Sequence, residues 1–156
     1  MTYILSIANE KGGVAKTTSC ISLGASLVES GASVLLIDLD AQANLTLALG
    51  VDTTQIKQSI VNVLLESLPA AQAIVKTGIP KLDVIPATSE MGMTERFLPM
   101  RTGYETALKK ALRGQSWTYD YIILDCPPFL GAITTNALTA SDMLLMPTQA
   151  EFFSIN

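Results

Sequence analysis

Apolar residues fall in five short runs, at 3–7, 33–37, 82–86, 119–124 and 142–146, each bounded by glycine, proline or polar turn residues. The runs are too short for helices, and several are continuous rather than alternating, as in parallel strands covered on both faces. Between them, apolar residues recur at helical spacing. The spacing predicts helices over 17–30, 44–49, 91–97, 104–112 and 131–140. A longer helical pattern covers 52–76, with Ile60, Val63, Leu64 and Leu68 on one face and a break at Pro69. Gly31 and Gly50 stand where helices are expected to end. Strands alternating with helices specify an α/β, doubly wound, mostly parallel sheet with helices on both faces. The 156 residues make one domain's worth of chain.

The first strand leads straight into Ala8-Asn9-Glu10-Lys11-Gly12-Gly13-Val14-Ala15-Lys16-Thr17-Thr18 and then into a helix. A strand, a Gly-rich turn and a helix N-terminus hold phosphate, because backbone N–H groups converge there and the helix end adds about half a positive charge. Lys16 is placed for the β- and γ-phosphates and Thr17 for a Mg²⁺ ion. The usual G-x-x-x-x-G-K-[ST] pattern fails twice, since Glu10 and Ala15 stand where glycines belong. A phosphate nest alternates right- and left-handed backbone, so a positive φ is predicted at Ala15, at a cost of about 1–2 kcal/mol.

Two further strands end in carboxylates: 33–37 delivers Asp38 and Asp40, and 119–124 delivers Asp125. In a doubly wound sheet, ligands bind at that edge. An acid some twenty residues past a glycine-rich turn also fits a dinucleotide ribose contact, but such a fingerprint has no use for Lys16 and Thr17. Asp38 is expected to support the Mg²⁺ shell.

Apolar residues make up 49% of the chain and charged ones 15%, which suits a sheet buried on both sides. A net charge of −4 argues against a grip on DNA by bulk electrostatics. There is no histidine, and Cys20 and Cys126 lie in core-like segments without metal-ligand spacing, so neither a His triad nor a Cys metal site is expected. Met91, Met93 and Met100 are read as core filling, Arg96 and Arg101 as a solvated face, and Lys109, Lys110 and Arg113 as complements to a helix dipole. No apolar run approaches a membrane span and no leader precedes the first strand, so a cytoplasmic protein is expected.

Lys11, Gly12, Gly13, Lys16, Thr17 and Thr18 match K-G-G-x-x-K-[ST], and here the chain resembles the ParA/MinD family of deviant-Walker P-loop ATPases. Asp38, Asp40 and Gln42 match its D-x-D-x-Q motif, with Ala41 where proline is common, and Asp125-Cys126-Pro127-Pro128 matches its Walker B form. The resemblance implies ATP and Mg²⁺ as ligands, held by the loop from Lys11 through Gly12, Gly13, Val14, Ala15, Lys16 and Thr17 to Thr18. It implies that Lys11 crosses a dimer interface to the partner's nucleotide, that Asp40 activates the attacking water, and that Asp125 holds a water of the Mg²⁺ shell set by Thr17.

The wording around Asp38 and Asn44 is nearer to ParA/Soj than to MinD. The resemblance therefore implies an ATP-dependent dimerisation switch for chromosome or plasmid partition, with a ParB-like stimulating protein and nucleoid association. It spans the whole chain, including 147–152, yet only the front part of a family member. Non-specific DNA binding or a membrane helix would lie in a C-terminal part, and no membrane contact is indicated in this segment. A MinD-like positioning ATPase, a ligase of the cobyrinic acid diamide synthase or dethiobiotin synthetase type, and a binding module without turnover are the alternatives.

Overall fold

The computed structural model describes residues 1–150; the aromatic pair Phe152 and Phe153 and the end of the 147–152 motif lie outside the described residues. The elements are β1 (Tyr3–Ile7), α1 (Lys16–Glu29), β2 (Val34–Asp38), α2 (Asn44–Ala48), α3 (Ile60–Glu66), β3 (Val75–Lys76), β4 (Leu82–Ile85), α4 (Met91–Phe97), α5 (Ala107–Arg113), β5 (Tyr121–Asp125), α6 (Ala132–Ala140) and β6 (Met143–Leu145). The sheet runs in the order β3-β4-β2-β5-β1-β6, and every pairing is parallel except that of β3 with β4.

Strand alternation sorts the core into two layers. Ile4, Leu35, Ile37, Ile122 and Leu124 point towards α3, α4, α5 and α6. Ile7, Val34, Leu36, Val84 and Ile123 point to the opposite face, where they meet Cys20 of α1 and Leu45 of α2. At Gly24 a Cβ would lie 3.1 Å from Leu36, so glycine there lets α1 sit close on β2. Both cysteines are buried free thiols, as their apolar surroundings imply.

Three expectations change. The pattern over 52–76 is not one helix: an Asp52-capped 3₁₀ turn at Thr53–Gln55, α3, a second 3₁₀ turn at Ala70–Ala73 and β3 divide it. Ser59 and Asn62 form a reciprocal capping box that starts α3 late, and Ser67 in a left-handed conformation stops it before Pro69. The sheet thus gains a sixth, antiparallel edge strand whose two residues carry too little pattern to be seen in sequence. The segment 104–112 opens with a 3₁₀ turn at Tyr104–Thr106, and α5 begins only at Ala107. Of the methionines near α4, Met91 is core, whereas Met93 and Met100 are exposed.

The central strands are buried, but Met143, Leu144 and Leu145 of β6 are between 41% and 50% exposed. Leu144, with Phe129, Leu130, Leu138 and Met146, borders a cavity of about 390 Å³ beside Asn9. Arg96 and Arg101 are exposed as expected, and Arg101 also donates to the Leu64 carbonyl at 3.3 Å.

Candidate functional site

The loop after β1 is held by its own side chains. Asn9 Oδ1 accepts from the Lys11 N–H at 2.9 Å, while Asn9 Nδ2 donates to the Pro147 carbonyl at 2.8 Å. Gln149 Nε2 donates to the Gly13 carbonyl at 3.2 Å, a second tie to the segment after β6. Gly13 (φ 76°) and Ala15 (φ 62°) are both left-handed, the alternation that makes a nest. The positive φ expected at Ala15 is present. A Cβ on Gly12 or Gly13 would meet nothing within 4 Å, so the surface of the loop is open there.

Ala15 caps α1 without a side-chain bond, and the first N–H groups of the helix have no partner within it. Lys16 is buried, with its ammonium folded back to the Lys11 carbonyl at 3.0 Å. An ammonium has three donors, so that bond leaves two for a ligand. Val14 is buried in the core and can offer a ligand only its backbone. Thr17 is half-buried and Thr18 exposed.

Register brings the acids to this loop. Ile7 pairs with Asp125 across β1 and β5, and Asp38 pairs with Asp125 across β2 and β5, so three strand ends lie level. Asp38 is fully engaged: its Oδ2 accepts from Thr46 N at 2.9 Å and Thr46 Oγ1 at 2.7 Å, and its Oδ1 from Asp40 N at 3.1 Å. Burial still raises its pKa, helped by the charge of Asp40 and opposed by the Thr46 bonds. Asp40 is half-buried, and its Oδ1 accepts from the Gln42 N–H at 2.9 Å.

Asp125 differs. Both carboxyl oxygens are buried with no hydrogen-bond partner among the described residues. Burial pushes its pKa up to about 7, with Asp38 and Asp40 adding to the rise. The Thr17 hydroxyl and the Lys16 ammonium pull the other way, the hydroxyl without completing a bond. Burial, with the charge of Asp125, raises the thiol of Cys126 to about 12, and burial with Asp125 and Asp38 raises that of Cys20 well above its ordinary value, which disfavours the reactive thiolate at both.

A family described as "AAA domain" matches residues 2–156. Sporulation initiation inhibitor protein Soj of Bacillus subtilis is 43% identical over 155 residues, covering 99% of this chain and 61% of Soj. The chain belongs to the ParA/Soj family. The chromosome partitioning protein ParA of Caulobacter vibrioides is 42% identical, over 97% of this chain and 58% of its own length. A crystal structure described as cobyrinic acid a,c-diamide synthase from Mycobacterium smegmatis with bound ATP analog and magnesium superposes with a TM-score of 0.91 at 44% identity, over 97% of this chain and 62% of that one. The chain thus spans about three-fifths of the length of these ParA/Soj relatives.

Of the residues read from the ParA/Soj motifs, Lys16, Thr17, Asp38, Asp40 and Asp125 converge at one sheet edge. Lys11 heads the loop half-exposed, and its backbone serves both Asn9 and Lys16. Asn9, Gln149 and Thr46 were not read as site residues. Asn9 could have been, because an Asn two residues before a glycine-rich turn makes a local Asx bond. Thr46 and Gln149 gave no such signal, since their partners are 8 and 136 residues away.

Proposed function

We propose that this chain is the nucleotide-binding part of a ParA-type ATPase, a Mg-ATP-dependent dimerisation switch in chromosome or plasmid partition. The observation that carries the reading is the left-handed nest at Gly13 and Ala15, with the buried Lys16 ammonium folded into it, beside the unpartnered carboxyl of Asp125. A buried carboxyl with neither oxygen satisfied demands a ligand, water or cation. No group of three or more acids, cysteines or histidines among the described residues forms a metal cage. That suits Mg²⁺, which takes one or two protein groups, water and phosphate oxygens. Thr17 would hold the ion, Asp125 would hold a water of its shell, and Asp38 would support it. When bound, the ion neutralises charge on the phosphates.

The chain's own residues supply the rest. Backbone N–H groups from Gly12 to Thr18 cradle the phosphates, and Lys16 stabilises charge on the transferred group. Asp40 orients the attacking water. Lys11 reaches the nucleotide of a second copy, so ATP joins two chains and hydrolysis releases them. A stimulating protein of the ParB type, non-specific DNA contacts outside this segment, and a cytoplasmic, nucleoid-associated location complete the proposal. No helix among the described residues is long and apolar enough to cross a membrane.

The test is sedimentation and ATP turnover of the full-length protein. Wild type should dimerise with ATP; Lys16→Ala should lose nucleotide, and Lys11→Ala should bind ATP yet stay monomeric with turnover down by about 10²-fold. ATP binding by wild type without dimerisation would refute the switch. A carboxylate-activating ligase, favoured by the description of the Mycobacterium smegmatis structure, shares the ATP site but requires a carboxylate acceptor for turnover. ATPase activity without any acceptor excludes it.

A further inference from the structure

We propose that Glu95 is a positioning residue for the phosphate site, clamping the segment that follows Asp125 onto α4. The proposal rests on the ATPase reading above. Glu95 lies on the inner side of α4, and its two oxygens each accept one backbone N–H from the first turn of α6: Oε1 from Ala132 at 2.5 Å and Oε2 from Ile133 at 3.1 Å. Those donors have no partner inside their own helix, and a carboxylate there also meets the positive end of the helix dipole.

Gly131 independently marks the clamp. A Cβ at this position would overlap the Glu95 carboxyl. Its backbone (φ −114°, ψ −162°) is extended and open to any residue, so a side chain there would push the Glu95 carboxyl off α6 without straining the backbone. Thr134 Oγ1 donates to the Phe129 carbonyl at 2.7 Å and Thr135 Oγ1 to that of Gly131 at 2.9 Å, closing the turn from the other side.

The segment from Asp125 to Gly131 is therefore fixed at two points, by Cys126 N donating to the Ile7 carbonyl at 3.1 Å and by Glu95 at its far end. The connection from β4 to α4 is tied to α2 and, through it, to Asp38. Ala87 N donates to Thr46 Oγ1 at 3.1 Å, and that hydroxyl donates to Asp38 at 2.7 Å. The stretch from Ala87 to Glu95 thus links the hydrogen bonds of Asp38 to the first turn of α6. Asp125 itself is held at its backbone by β1 and β2, so what Glu95 pins is the chain beyond it, where Pro127, Phe129 and Leu130 face Asn9 and Glu10 of the phosphate loop across one cavity.

The experiment pairs amide hydrogen exchange at Ala132 and Ile133 with Mg-ATP kinetics of the full-length protein, comparing Glu95→Ala, Glu95→Gln and Gly131→Ala. Loss of the clamp should speed exchange at both amides about tenfold. It should lower kcat at least about tenfold, because displaced catalytic groups act on the chemical step, while KM stays within about threefold. Glu95→Gln keeps the shape and one acceptor, so it should recover part of the lost kcat and serves if the alanine variant does not fold. Faster exchange with unchanged kcat, or unchanged exchange without the carboxylate, overturns the proposal. Failure of the ATPase reading shows separately, as wild-type protein without turnover; the clamp then stands or falls on the exchange of the two amides.

Discussion

Asp38 and Asp125 face each other across neighbouring strands, level in register and both buried, yet they live in opposite electrostatic circumstances. The first has its carboxyl satisfied by Thr46 and the Asp40 backbone. The second has no hydrogen-bond partner among the described residues. An acid whose bonds are all internal serves the fold; an acid left bare in a buried site serves a ligand. Two level acids of one sheet edge thus differ in how far the fold satisfies them, and the difference can be measured.

The largest expected effect is a pH dependence set chiefly by Asp125. Its carboxyl titrates near 7 in the fold and near 3.8 when unperturbed. The folded state therefore holds the proton more tightly, so stability of the nucleotide-free protein falls as pH rises from about 4 to about 7, by up to about 4 kcal/mol. Above that window its effect on stability is constant. Asp125→Asn should flatten this slope in urea unfolding measured across pH, and a slope unchanged by the substitution would remove the contrast. The raised pKa of Asp38 acts in the same direction, tempered by the bonds from Thr46.

Next in size, Asp125→Asn should lower ATP turnover by about 10²-fold or more, with folding at pH 8 intact or improved. Steady-state kinetics and a thermal melt on one preparation check both halves. Thr46→Val should do the reverse, destabilising the protein by about 1–3 kcal/mol because Asp38 loses one donor and the Ala87 N–H its acceptor. If it impairs turnover more than stability, Asp38 is not chiefly architectural. Ala15→Gly is the smallest change: it relieves left-handed strain at φ 62° for a gain of about 1 kcal/mol or less after the added unfolded-state freedom of glycine.

Much of the site was legible before any coordinates. Lys16, Thr17, Asp38, Asp40 and Asp125 sit at strand ends or in a glycine-rich turn, where a local pattern names both the element and the edge it points to. The left-handed Ala15 was legible for the same reason, as a nest imposes its alternation whatever side chain occupies it. Ala43, equally left-handed at φ 51° ahead of α2, had no such motif behind it. The region 52–76 misled, because apolar spacing records which residues are buried and not where a capping box or a left-handed Ser67 cuts the helix. Thr46 and Glu95 carry no mark in the sequence, because a buried threonine and a helical glutamate look ordinary until their partners are known.

The amino-acid order alone determined the strand–helix alternation, the phosphate loop and the set of acids at its mouth, since each depends on neighbours within a few positions. Only the folded chain decided which acid is spent on structure and which is left bare, because hydrogen-bond partners such as Asn136, which accepts from the N–H of Leu108, come from distant segments. Desolvation likewise depends on everything packed around a carboxyl, and no stretch of sequence carries that sum.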